Sequence, residues 1–103
     1  MPHFIRLVTF TEKGISDPLL SKSRSVEFKN EAENLGIKIL AEYAVIGRYD
    51  IVTIVEAPDI QSVMKLSVVQ GKKGRTRVET LAAVPVVSWL RVPTTKSRGL
   101  SPS

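Results

Sequence analysis

Arg48, Tyr49 and Asp50 stand in a row directly after Gly47, and their types could do chemistry together. A phenol beside a carboxylate and a guanidinium can hold a substrate or pass it a proton. The same four residues also suit a reversal of direction. Glycine then opens the turn, the ring packs over the hairpin, and the aspartate accepts from nearby backbone N–H groups. The turn is the more economical reading, because acid–base catalysis needs a third partner that this segment does not supply. A second set is spread along the chain: Arg6, Thr53 and Thr80, joined by Tyr43 or Glu42. On one sheet face they would be the few convergent polar groups of an apolar pocket. Alternatively, Arg6 pairs with Glu42 or Glu79 and fixes the register of two subunits. An arginine inside a strand needs a partner either way.

The basic run Gly71-Lys72-Lys73-Gly74-Arg75-Thr76-Arg77 is a candidate anion site through Lys72, Lys73, Arg75 and Arg77. Its Gly-x-x-Gly core resembles the backbone clamp of KH domains, but there the loop joins two helices. Here it joins a helix to a strand, and it lacks the spacing of a phosphate loop. A solvated turn is the plainer reading. His3 is the single histidine and cysteine is absent, so neither a two-imidazole site nor a thiolate chemistry is available. No metal or cofactor is implied. Trp89 reads as a packing anchor.

These residues must be positioned by elements that the patterning makes legible. Residues 4–10 (FIRLVTF) read as a first strand. Asp17-Pro18 looks like a helix start, and Phe28, Ala32 and Leu35 fall on one face of the helix that Gly36 ends. A second strand over 37–45 and a third over 50–56 form an antiparallel pair across the Gly47–Asp50 turn. Asp59 caps a helix over 60–70, with Ile60, Val63, Met64 and Val68 as its expected buried face, and Gly71 stops it. The fourth strand covers about 75–84.

The order is β-α-β-β-α-β, an α+β ferredoxin-like fold with a four-stranded antiparallel sheet and both helices on one face. The other face is then left open. Four strands about 4.8 Å apart present a projected area of roughly 400 Å². Whichever set of alternating residues faces the helices, the other set is largely apolar, so that face is expected to serve oligomerisation. The expected organisation is a domain over 1–85, an apolar segment over 86–93 and a disordered tail over 94–103.

Three stretches together resemble the GYD domain family. They are Gly47-x-Tyr49-Asp50 followed by Val55-Glu56-Ala57-Pro58-Asp59, the opening Phe10-Thr11 and Gly14-Ile15, and the last-strand Arg77-Val78-Glu79-Thr80-Leu81. The resemblance spans about 4–84. It departs before the first helix, where Leu20-Ser21-Lys22-Ser23-Arg24 keeps only the serine and arginine of the family's Asp-Ser-Pro and arginine. It departs again after the last strand, where the apolar 86–92 replaces a charged helix. What the resemblance implies is a sheet-to-sheet pairing similar to dimeric α/β barrels. Relatives of that architecture include small-ligand sensors and cofactor-independent oxygenases or isomerases.

The chain has 103 residues and a net charge of +5. Arg91, Lys96 and Arg98 in the tail supply +3 of it, leaving the folded part nearly balanced. Such a tail attracts polyanions weakly and without specificity. The third strand also offers Ile51, Thr53 and Val55 where an RNA-binding sheet needs aromatic rings, so nucleic acid is not the expected partner. No apolar run is long enough for a membrane span, which points to the cytoplasm. The sequence therefore predicts a homo-oligomeric small-molecule-binding or interaction module without catalysis. Its expected pocket lies between paired sheets, near Arg6, Tyr43, Arg48, Tyr49, Thr53 and Thr80. The alternative is a cofactor-independent enzyme of the dimeric-barrel type using Tyr49 and Asp50, and a weaker one is a nucleic-acid-binding accessory.

Overall fold

The computed structural model describes residues 1–16 and 22–87, and its strands fall within two residues of the expected bounds. They are β1 (His3–Phe10), β2 (Lys38–Ala44), β3 (Ile51–Glu56) and β4 (Thr76–Ala83). A short helix α1 (Glu12–Ser16) precedes the two long ones, α2 (Lys22–Asn34) and α3 (Ile60–Gly71). All pairings are antiparallel and the sheet order is β2-β3-β1-β4. This is the ferredoxin-like arrangement, in which the two β-α-β halves interleave and β1 and β3 take the centre. The Asp17-Pro18 helix start, Trp89 and the tail lie outside the described residues.

Phe28 and Ala32 of α2 and Val63 and Leu66 of α3 close over Phe4 and Val55 of the two central strands, so both helices cover one face. Ala32, Val55, Val63 and Leu66 are at most 1% exposed. Each such side chain contributes roughly 1.5–3 kcal/mol by leaving water. The expected buried face of α3 needs correction. Val63 is buried, but Ile60, Met64 and Val68 are exposed, and Leu66 takes the inward position instead. The helix carries two apolar stripes, and the one that includes Val63 and Leu66 meets the sheet.

Local chemistry sets the ends of these elements. Asp59 caps α3 by accepting from the backbone N–H of Ser62 at 2.9 Å and from its hydroxyl, which holds its carboxyl below the usual range. Gly36 sits at φ 75° after α2, in the left-handed region that a glycine terminator provides. Gly14 has a different reason to be glycine. A Cβ there would stand 2.2 Å from the carbonyl oxygen of Arg75, where α1 presses against the start of β4.

Register divides the sheet into rows that run across all four strands. On the helix-covered face, Ile39, Val55, Phe4 and Ala82 form one row, and Ala44, Ile51, Val8 and Val78 form another. Between them lies a polar row, Glu42-Thr53-Arg6-Thr80. The open face carries Ala41, Ile54, Ile5 and Leu81 in one row and Tyr43, Val52, Leu7 and Glu79 in the next. Directly opposed side chains share a face, so each row is a contact unit.

Candidate functional site

The polar row opens into a cleft of about 180 Å³ between the sheet and α2. Arg6 and Thr53 form its floor, each 1% exposed. Phe28 roofs the arginine, with the guanidinium carbon 5.3 Å from the ring centroid, a cation–π contact in a desolvated place. Gln70, in the last turn of α3, accepts from Nη2 of Arg6. The Nε–H of Arg6 has no partner among the described residues, although it is buried. Burial lowers the pKa of Arg6 to about 10, against a smaller upward pull from Glu42. The central strand thus carries a guanidinium that no carboxylate within the described residues touches.

Around this floor Lys73 and Arg75 are paired with carboxylates of α2. Lys73 lies between Glu27, at 2.8 Å, and Glu31. Burial works against its charge, but the bonds to the two carboxylates outweigh it and raise the pKa of Lys73. Its hydrogen bond to Glu27 in turn holds that carboxyl low. Arg75 reaches Glu27 at 3.3 Å. Arg24 donates to the carbonyl of Gly14 and stands 5.9 Å from the centroid of Phe10, tying α2 to α1. The second oxygen of Glu31, Oε1, is buried and without a hydrogen-bond partner.

The residues expected around one pocket divide between the two sides of the sheet. Arg6, Thr53 and Thr80 do share a face, with Glu42, but it is the face under the helices and not the open one. Tyr43 is on the open face, 57% exposed. Tyr49 lies on that side as well. Its hydroxyl donates to Glu79 at 2.7 Å, which ties the loop before β3 to β4 across β1. That bond raises the tyrosine pKa, and Arg48 stacks 5.8 Å from the ring centroid. Asp50 turns to other partners. Its carboxylate accepts from the N–H of Phe10 at 2.8 Å, and its own N–H donates to the carbonyl of Val8, so it continues the β1–β3 pairing past Ile51.

Asp50 therefore supports the fold through a side-chain acceptor on a backbone donor. Asp50→Ala is expected to cost about 1–2 kcal/mol in urea unfolding. Asp50→Asn, which retains a carbonyl acceptor, is expected to lose less than half as much. Equal stability of all three proteins would show that the bond carries nothing.

The basic run does not present one surface. Lys73 and Arg75 turn inward to α2, whereas Arg77 pairs with Thr9 on the opposite side of the sheet. Lys72 is exposed at the end of α3. His3 meets Glu56 across the β1–β3 pair at 3.5 Å. Gln70 and Glu31 are not among the residues that the sequence singles out, and Phe28 is expected there only as part of the apolar face of its helix. For Gln70 and Phe28 the signal was the need of Arg6 for partners, which come from the helices.

A ferredoxin-like α+β domain with a polar row beneath its helices and an apolar open sheet face is the class that these features define. The GYD domain profile matches residues 4–89, and the chain belongs to that family. A relative from Thermus thermophilus, named glutamine synthetase and cystathionine beta-lyase binding protein, is 37% identical over 91 residues, or 87% of this chain and 96% of that protein. Among solved structures, the crystal structure of FFRP-DM1 superposes with a TM-score of 0.52 at 20% identity, over 82% of this chain and all of the other, and so shares its fold. No helix among the described residues is long and apolar enough to cross a membrane.

Proposed function

We propose that this chain is a non-catalytic interaction module that pairs with its own copies through the open sheet face and docks on other proteins. The observation that carries this is the pair of rows opposite the helices, apolar except for Glu79 at the β4 end. No helix of the described residues covers Ile5, Leu7, Val52, Ile54, Leu81 and Tyr43, and an apolar sheet face of this kind is a recurrent mark of an interface. Tyr49 adds a rim, since its bond to Glu79 stiffens the loop at one end of that face. The name of the Thermus relative supports the second half of the reading. Glutamine synthetase and cystathionine beta-lyase are accordingly the first enzymes against which docking should be tried.

Native mass spectrometry tests the pairing. The wild-type chain is expected as a dimer or larger particle. Ile54→Lys, which places an ammonium group in the middle of an apolar row, is expected as a monomer with an unchanged circular dichroism spectrum. A wild-type monomer at micromolar concentration would overturn the reading. Added glutamine synthetase is expected to produce a heavier complex with the wild type.

A further inference from the structure

We propose that the cleft between the sheet and α2 binds a small monocarboxylate with an apolar body and a hydroxyl or similar donor, its carboxylate taken by Arg6. This site lies inside the protomer, on the other side of the sheet from the proposed pairing surface, and does not depend on that surface.

Three observations carry it. The first is the orphaned donor. Arg6 is 1% exposed, yet its Nε–H has no partner and no carboxylate of the described residues meets it. A buried charged donor without an acceptor is costly and calls for an explanation, and a bound anion would supply the missing acceptor. The Nη2 side is already held by Gln70, while the buried Nε–H has no acceptor among the described residues.

Charge supplies the second. The cleft is lined by four basic side chains (Arg6, Arg24, Lys73, Arg75) and three acidic ones (Glu27, Glu31, Glu42). Lys73 and Arg75 already meet Glu27 and Glu31. One positive charge is left in excess, so a singly charged anion balances the site. A phosphate dianion would overshoot it.

Shape and polarity supply the third. Val8, Phe10, Phe28 and Ile51 give the cleft apolar walls, which suit a hydrocarbon body. Its volume of about 180 Å³ is below the size of a drug-sized pocket, which limits the occupant to a small molecule. Glu31, also in the lining, carries a buried acceptor, Oε1, without a donor. A hydroxyl on the same ligand would satisfy it, so one molecule answers both orphaned atoms.

The test uses calorimetric titration of the full chain with 2-hydroxy-4-methylpentanoate, and with 4-methylpentanoate and inorganic phosphate as comparison probes. The hydroxy acid is expected to bind wild type, and to raise its unfolding midpoint with concentration as any native-state ligand does. The plain acid is expected to bind roughly tenfold more weakly, the scale of one lost hydrogen bond. Arg6→Met is expected to abolish binding while the particle mass stays that of the wild type. Ser25→Trp adds a second arm, because Ser25 is exposed on α2 and lines the cleft, so a large ring there blocks entry without touching the core. Undiminished binding to either variant would overturn the assignment. So would the absence of binding by wild type, or phosphate binding as tightly as the hydroxy acid.

Discussion

Leu66→Ala is expected to destabilise the domain by about 2–5 kcal/mol, whereas Met64→Ala, two residues away, stays within about 0.5 kcal/mol of wild type. Leu66 is fully buried between α3 and the sheet, in contact with the cluster that holds Phe4, Val55 and Val63. Its removal loses the transfer free energy of the side chain and leaves a void that rigid strands cannot fill. Met64 is 60% exposed and contributes little that alanine would not. In a domain of this size the first change should lower the thermal midpoint by roughly 10–20 °C, and total stability is typically only about 5–15 kcal/mol. Thermal and urea unfolding of the two variants decides the matter. A comparable loss in both would mean that the helix is turned the other way.

That contrast also marks what the sequence could and could not reveal. The order of elements and the antiparallel sheet were legible because turns, caps and β-branched runs are local signals. Gly36 at the end of α2, Asp59 at the start of α3 and the Gly47–Asp50 reversal each act within four residues of their own position. The inward face of α3 was not legible. Ile60, Met64 and Val68 recur at helical spacing as well as Val63 and Leu66 do, so periodicity offers two stripes. Only the distance and tilt of the sheet select between them.

The site was partly legible for a related reason. Alternation placed Arg6, Thr53 and Thr80 together, since residues two apart on paired strands share a face. It did not say which face the helices cover. In β1 the choice lies between Phe4, Arg6, Val8 and Phe10 and the smaller set of Ile5 and Leu7. The set that holds Phe4 and Val8 is the one buried under the helices, and the arginine is carried inside with it. Gln70 and Glu31, whose partners lie 64 and 42 residues away, were not found because no local pattern relates them to Arg6 or Lys73.

Arg6→Met is expected to make the protein more stable, by about 2 kcal/mol in the absence of any ligand. The fall of the Arg6 pKa from the ordinary guanidinium range to about 10 corresponds to a folded-state penalty on the charged form of about 3 kcal/mol. Methionine fills much of the same volume without a charge, and replacing buried ionic groups by apolar ones of similar size commonly stabilises. Against the gain stands Gln70, whose carbonyl loses its donor at a cost of about 1 kcal/mol. The sign of the pH dependence follows from the lowered pKa. Below about pH 10 the arginine is charged in both folded and unfolded chains and the penalty is fully present. As pH rises above about 10 the folded form loses its proton before the unfolded chain does and the penalty fades, so the advantage of the methionine variant should shrink there. Urea unfolding of both proteins at pH 7 and above pH 10 measures this difference, with other titrating groups common to the two. A less stable Arg6→Met at neutral pH would mean that the guanidinium holds the fold together, and that its burial is structural. A more stable one would mean that the chain keeps a destabilising arginine in its central strand for something other than stability, the usual sign of a residue retained for binding.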